Sequence, residues 1–122
     1  MFRRVILPML ALAGVPSLAY AQEIDPVPAD ALVGHAYFSE NTPSVILFIN
    51  VRSRPVRVLW VAFDGTERPY RVITQGEQIL QPTFVAHRWV VRDGEDGTPF
   101  AGFISTRAAA QSNGTPQIAL IR

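Results

Sequence analysis

The sequence predicts an all-β protein, an antiparallel β-sandwich of about seven strands. Three observations support this fold class. From Ser44 onward, short apolar or alternating segments are each bounded by Gly, Pro, Asn or Asp, as strands are. The segments recur at intervals of about ten residues, which is typical of two-layer sandwiches. Residue pairs that tolerate positive φ lie between several of them, whereas no long helical period runs through this part of the chain.

Residues 1–21, MFRRVILPMLALAGVPSLAYA, have the composition of a signal peptide. They begin with two arginines, continue with an apolar run and end with Ala-Tyr-Ala. This pattern predicts cleavage between Ala21 and Gln22 and a periplasmic or secreted protein. The alternative is a membrane anchor, but two prolines and a glycine interrupt the apolar run, and a stable span needs about 20 apolar residues. We therefore expect no permanent membrane span.

Residues 22–43 are predicted to be a lead-in segment, because three prolines interrupt a stretch of mixed polarity. A short helical turn is expected within PADALVGHAYF. Residues 44–122 form the predicted sandwich. Its strands lie in SVILFINV, PVRVLWVAF, PYRVI, QILQ, AHRWVVRD, PFAGFIST and PQIALIR. The predicted turns are Asp64-Gly65, Gln75-Gly76, Asp93-Gly94 and Asn113-Gly114.

Alternation along PVRVLWVAF places one apolar set of residues on a single strand face, which we expect to point into the core. The same reasoning applied to the other segments predicts a core that includes Val45, Leu47, Ile49, Val58, Trp60, Val90, Phe103 and Ile118.

Charge and cysteine content exclude several classes of function. The chain contains no cysteine, so its fold depends on the core and the sheet ladders without disulfides. Without Arg3 and Arg4, nine basic residues face ten acidic ones, and this near-neutral balance argues against a nucleic-acid partner. His35 and His87 lie far apart with no other ligands beside them, so no metal site or cofactor is predicted.

The acidic turn RDGEDGTP, with Asp93, Glu95 and Asp96, has an oxygen-rich composition that resembles a calcium loop only faintly. It lacks the spacing and the closing glutamate of such loops, so a plain hairpin turn is the preferred interpretation.

Aromatic residues and turns between Pro43 and Asp93 carry a resemblance to a known family. The pattern comprises Pro43-Ser44, F-x-N at Phe48–Asn50, Trp60, FDG at Phe63–Gly65, Pro69-Tyr70, Gly76 and H-x-W-x-x-R-D at His87–Asp93. With this spacing the stretch resembles the β domain of the von Hippel-Lindau tumour suppressor, a prealbumin-like sandwich that reads substrates for a ubiquitin ligase. After Asp93 the resemblance weakens.

The resemblance implies an aromatic pocket for hydroxyproline in an extended peptide. Carried over residue by residue, the ligand-binding walls are Trp60, Tyr70 and Trp89, and the hydroxyl partners are Thr83 and His87. Thr83 stands where the family has a serine, so the hydroxyl group is kept and a methyl group is added. His87 and Trp89 are two residues apart on a predicted strand and so share a face.

Some positions depart from the family. Pro82 replaces a histidine that helps to hold the ligand, and Ser39 and Asn41 replace an asparagine and an arginine beside the peptide. These changes affect the rim of the site, along which the peptide would lie in the family. The sequence ends at Arg122 without the family's helical module, so we expect a stand-alone, bacterial-type exported form with no elongin or ubiquitin-ligase assembly.

We therefore expect a non-enzymatic binding module for a peptide or a small hydroxylated, hydroxyproline-like group. Thr83 with His87 is the only candidate nucleophile–base pair, and no third residue is evident to orient the imidazole. The alternative is a structural or assembly protein that pairs through a sheet edge, with the aromatic cluster serving only as core.

Overall fold

The structure, a computed structural model, describes residues 2–4, 22–107 and 115–122. The described residues form two packed sheets, and the predicted all-β sandwich is confirmed. The strands are β1 (Phe2–Arg4), β2 (Gln22–Ile24), β3 (Pro43–Asn50), β4 (Val56–Val61), β5 (Glu67–Ile73), β6 (Gln78–Phe84), β7 (Arg88–Asp93), β8 (Pro99–Ile104) and β9 (Gln117–Ile121).

The strands divide into a five-stranded sheet, β1-β2-β9-β3-β6, and a four-stranded sheet, β5-β4-β7-β8. All seven segments predicted as strands are present, as β3 to β9. Most pairs are antiparallel, as expected, but β9 runs parallel to both β2 and β3. The first sheet is therefore mixed, because β9 inserts between β3 and a strand from the N-terminal part of the chain.

The lead-in segment is part of the sandwich, and its residue Ile24 belongs to the core between the sheets. Its first residues form β2, and the expected helical turn is the 3₁₀-helix Ala29–Ala31. Val27 forms a bridge with Gly102 on β8, and Leu32 is buried against the outer face of the four-stranded sheet. Ala21 lies outside the described residues, while Gln22 begins β2. Cleavage between them stays a prediction.

The core between the sheets contains apolar side chains from both layers. On β3 the residues in this cluster are Ile46 and Phe48, not the predicted Leu47 and Ile49, although both of those are buried as well. Val45 is only partly buried. The remaining predicted residues are confirmed as buried, apart from Trp60, which is partly exposed and packs on the cluster.

The turns follow the predicted glycines with one exception. Gly65 and Gly76 have positive φ, whereas in the turn after β7 the positive φ falls on Gly97 and not on Gly94. The buried Asp93 carboxylate accepts hydrogen bonds from the backbone N–H groups of Glu95 and Asp96. These bonds are those of a hairpin turn, and no set of metal ligands occurs among the described residues. The Asn113-Gly114 turn lies outside them.

Among the residues that the structure describes, no helix has the length and apolar character that crossing a membrane requires.

Candidate functional site

The candidate site lies where an edge strand of one sheet is followed in the chain by an edge strand of the other sheet. β5 is an edge of the four-stranded sheet, and β6, which follows it in the chain, is an edge of the five-stranded sheet. Side chains from both layers therefore come together here. The structure places four of the five predicted ligand-binding residues on strands: Trp60 on β4, Tyr70 on β5, Thr83 on β6 and Trp89 on β7. His87 was predicted to share the strand of Trp89 but lies in the turn before β7, because the strand begins only at Arg88.

The floor of the site joins the two sheets through a side-chain hydrogen bond. The Trp89 indole N–H donates to the Thr83 hydroxyl oxygen at 3.1 Å. Trp89 is 1% exposed and Thr83 is 6% exposed. Trp89 also packs edge-on against Phe48 of the core, with ring centroids 5.9 Å apart. Thr83 and Trp89 are therefore mainly structural side chains, and a ligand reaches Thr83 only through the small surface that it retains.

Tyr70 forms an exposed wall above this floor. The pairing of β4 with β5 shifts register between Val58 and Leu59, and Tyr70 is the extra residue at this β-bulge. Its ring meets the Trp89 ring edge-on, with centroids 5.0 Å apart, and half of Tyr70 stays exposed. A bulge re-aims the side chain that it carries. The irregular register thus directs an aromatic side chain into the site.

His87 faces Trp60 at the other end of the site. The two rings stack with centroids 5.3 Å apart and an angle of 24° between their planes. Trp60 lies directly opposite Trp89 on the paired strands β4 and β7, so these rings share one sheet face. Partial burial lowers the pKa of the His87 imidazole from its usual value, and the ring is neutral at pH 7.

The turn that carries His87 contains an unusual backbone conformation. Ala86 has a φ of 70°, in the left-handed region that is costly for any residue with a Cβ atom. Its N–H donates to the Ser105 carbonyl oxygen at 2.8 Å, and the His87 N–H donates to the Phe84 carbonyl oxygen at 3.1 Å. These bonds fix the backbone on both sides of the strained residue and so hold His87 in place.

Two aromatic residues that sequence reasoning did not assign complete the surroundings of His87. Phe63 and Phe84 lie with their ring centroids 5.4 Å and 5.2 Å from that of His87, and both side chains are partly exposed. Phe63 also packs edge-on against Trp60. Phe63 belongs to the FDG motif and Phe84 follows Thr83 by one residue, so their positions next to predicted site residues were the available signal.

Phe63 also forms a wall of a neighbouring groove with a volume of about 650 Å³. The other lining residues come mainly from the segment before β3: Ala36, Tyr37, Phe38, Ser39, Asn41 and Asp64. The Tyr37 hydroxyl donates to the Val61 carbonyl oxygen, and burial raises the pKa of Tyr37. Ser39 and Asn41, the positions that depart from the family, thus lie beside the aromatic site and not within it.

The site combines flat apolar walls with few hydrogen-bonding groups. Trp60, Tyr70 and Phe63 offer partly exposed ring surface, while the neutral His87 ring has one nitrogen able to accept a hydrogen bond. The Thr83 hydroxyl accepts its hydrogen bond from Trp89. Such a combination suits a small ring-shaped ligand with a hydroxyl group, since apolar walls supply affinity and a few polar groups supply orientation.

The comparisons with known proteins concern the part of the chain that contains the site. The family model of the VHL (von Hippel-Lindau) beta domain matches residues 36–102, which is more than half of the chain. The matched region extends from the groove segment to β8 and contains all five predicted ligand-binding residues. No individual curated protein matches the chain.

Proposed function

The chain belongs to the VHL β-domain family, and on this premise we propose that it is a non-enzymatic, exported binding module. Its ligand in this proposal is a peptide or small molecule that presents a hydroxylated, hydroxyproline-like ring. The ring lies between Trp60 and Tyr70, and its hydroxyl group meets His87 and Thr83. We propose export on the basis of the signal-peptide pattern. Intact-mass analysis of the exported protein tests it, and we expect a chain that begins at Gln22.

The observation that carries the proposal is the arrangement of Trp60, Tyr70 and His87 around the paired Thr83 and Trp89. A core alone requires no exposed aromatic surface, yet Tyr70 is half exposed. The Trp89 N–H already occupies one acceptor position of the Thr83 hydroxyl. The Thr83 proton therefore points away from Trp89 and is available to an acceptor, while neutral His87 is available to a donor. The hydroxyl group of a ligand can accept a hydrogen bond from Thr83 and donate one to His87.

Tryptophan fluorescence tests the proposal, because Trp60 and Trp89 are the two tryptophans of the chain and both belong to the site. The purified protein is titrated with free hydroxyproline, with a hydroxyproline peptide, with its proline counterpart and with simple sugars. We expect a saturable change with the hydroxyproline peptide and a much weaker response to the proline peptide. A response to none of these ligands would reject the proposal.

A second candidate function is assembly through a sheet edge. Exposed apolar side chains lie on both edge strands, with Tyr70 and Val72 on β5 and Leu80 and Phe84 on β6. Unprotected edges of this kind favour pairing with another chain. Sedimentation over a range of protein concentrations separates the two functions, since assembly predicts a size that rises with concentration in the absence of any ligand.

A further inference from the structure

Two arginines of β5 lie on the same sheet face as the aromatic site. Arg68 is directly opposite Trp60 in the β4–β5 ladder, and Arg71 is opposite Val58. Residues opposite each other in a ladder point to the same face. Val58 belongs to the core between the sheets, and Trp60 packs against it, so both arginines project on the inner side of an edge strand. Tyr70 lies between them in the sequence.

Neither arginine is neutralised by the described part of the protein. Both are exposed, and no carboxylate of the described residues lies within ion-pair distance of either guanidinium group. By contrast, Arg92 of β7 forms two hydrogen bonds with Glu67. The contact that the structure gives Arg68 is with Trp60, whose ring centroid lies 5.8 Å from the guanidinium carbon.

The charge of Arg68 acts on the carboxylate of Asp64, but that carboxylate is hydrogen-bonded elsewhere. It accepts hydrogen bonds from the hydroxyl and the N–H of Thr66, at 2.7 and 3.1 Å. These bonds, and more weakly the charge of Arg68, lower the pKa of Asp64. The side of the site formed by β5 therefore carries two positive charges that lack an ion-pair partner.

We infer that the ligand of this site carries a carboxylate beside its hydroxylated ring, and that Arg68 and Arg71 bind it. This inference rests on the proposed function and narrows the ligand to an acidic peptide. Guanidinium groups form paired hydrogen bonds with carboxylates, which makes arginine suited to this recognition. Arg68 and Arg71 are three residues apart on the strand, a separation of about 10 Å. Because Tyr70, which borders the ligand ring, lies between them, the acidic residue of the peptide lies within about three residues of that ring.

The test uses four peptides of one sequence, with hydroxyproline or proline at the centre and aspartate or asparagine on either side. Asparagine has the shape of aspartate without its charge. We expect the aspartate form of the hydroxyproline peptide to bind about three- to tenfold more tightly than the asparagine form at low salt, as is typical of one or two exposed ion pairs. The difference should shrink as the salt concentration rises.

Charge variants of the protein assign the effect to these two residues. Arg68→Gln and Arg71→Gln together should abolish the preference for aspartate, so that the double variant binds the aspartate and asparagine forms with equal affinity. The matched control is Arg57→Gln, because Arg57 is an exposed arginine on the opposite face of β4 whose Nε–H donates to the Gly94 carbonyl oxygen. This control should keep the full preference.

The outcomes separate the inference from the function on which it rests. Equal affinities for the aspartate and asparagine peptides, both hydroxylated, would overturn the inference and leave the hydroxylated-ring site standing. A preference for aspartate that survives in the double variant would also overturn it. Failure of both hydroxylated peptides to bind would overturn the proposed function together with the inference.

Discussion

Replacing Thr83 by valine tests the hydrogen bond that joins the two sheets at the floor of the site. Valine has almost the same shape as threonine, so the substitution replaces the hydroxyl group by a methyl group and removes the hydrogen-bond acceptor. The Trp89 indole N–H, which donates to Thr83 at 3.1 Å, then loses its acceptor in a position that is 1% exposed. Leaving a buried donor unpaired costs about 1 to 3 kcal/mol of unfolding free energy.

The matched control is Thr83→Ser, which keeps the hydroxyl oxygen and removes one methyl group. Urea unfolding followed by tryptophan fluorescence gives the free energy for each protein. We expect Thr83→Val to lose about 1 to 3 kcal/mol and Thr83→Ser to lose about 1 kcal/mol or less, the cost of a buried methyl group. A valine variant as stable as the wild type, or a serine variant as unstable as the valine variant, would refute the assigned bond.

Three further changes test other parts of the structure. Ala86→Gly should raise the unfolding free energy by about 0.5 to 1 kcal/mol, because relief of the left-handed conformation exceeds the added chain entropy; urea unfolding measures this, and a loss of stability would contradict the strained turn. Phe48→Ala should cost about 3 to 5 kcal/mol, because it removes a ring that packs on Trp89 and Phe103; a cost below about 1 kcal/mol would contradict its core position. The third change concerns His87, whose pKa is lowered by burial, so that the unfolded chain binds its proton first. Stability should therefore fall as the pH drops below about 6.5, the unfolded value, and level off below the folded pKa; His87→Gln should lack this step, and an identical pH profile in wild type and variant would contradict the assignment.

The sequence predicted the strands well because their signals are local. Apolar segments between Gly, Pro, Asn and Asp specify β3 to β9 without knowledge of their partners. The same signals could not fix which face of β3 enters the core. Residues 45–49 of β3 are apolar in both alternate sets, and a continuous apolar run has no period of two. Ile46 and Phe48 were selected by packing between the sheets, which is not a local property.

β2 and the parallel pairing of β9 could not be predicted for a related reason. Gln22–Ile24 is too short for a recognisable pattern, and it pairs with both β1 and β9, of which β9 lies more than ninety residues away in sequence. Non-local pairing depends on loop closure and on the partner strand, and neither leaves a trace in three residues.

The sequence indicated which residues of the candidate site lie close together, but it did not indicate how exposed each one is. All five residues lie around one region, as the family resemblance implied, but sequence alone did not show that Trp89 and Thr83 are buried while Tyr70 is half exposed. The difference arises from the bulge at Tyr70 and from the cross-sheet hydrogen bond between Thr83 and Trp89. Phe63 and Phe84 were missed because their positions next to motif residues do not show that both rings pack against His87, which only the fold brings about.

The most direct test of the central claim is calorimetric titration of wild type, Thr83→Ser and Thr83→Val with a hydroxyproline peptide and its proline counterpart. Loss of one buried hydrogen bond to the ligand hydroxyl costs about 1 to 3 kcal/mol, or roughly five- to 150-fold in affinity. We predict that the wild type and the serine variant prefer the hydroxylated peptide by a factor in this range, and that the valine variant largely loses the preference. Equal affinities of the wild type for the two peptides, or binding to neither, would contradict the claim and leave the cluster as part of the core.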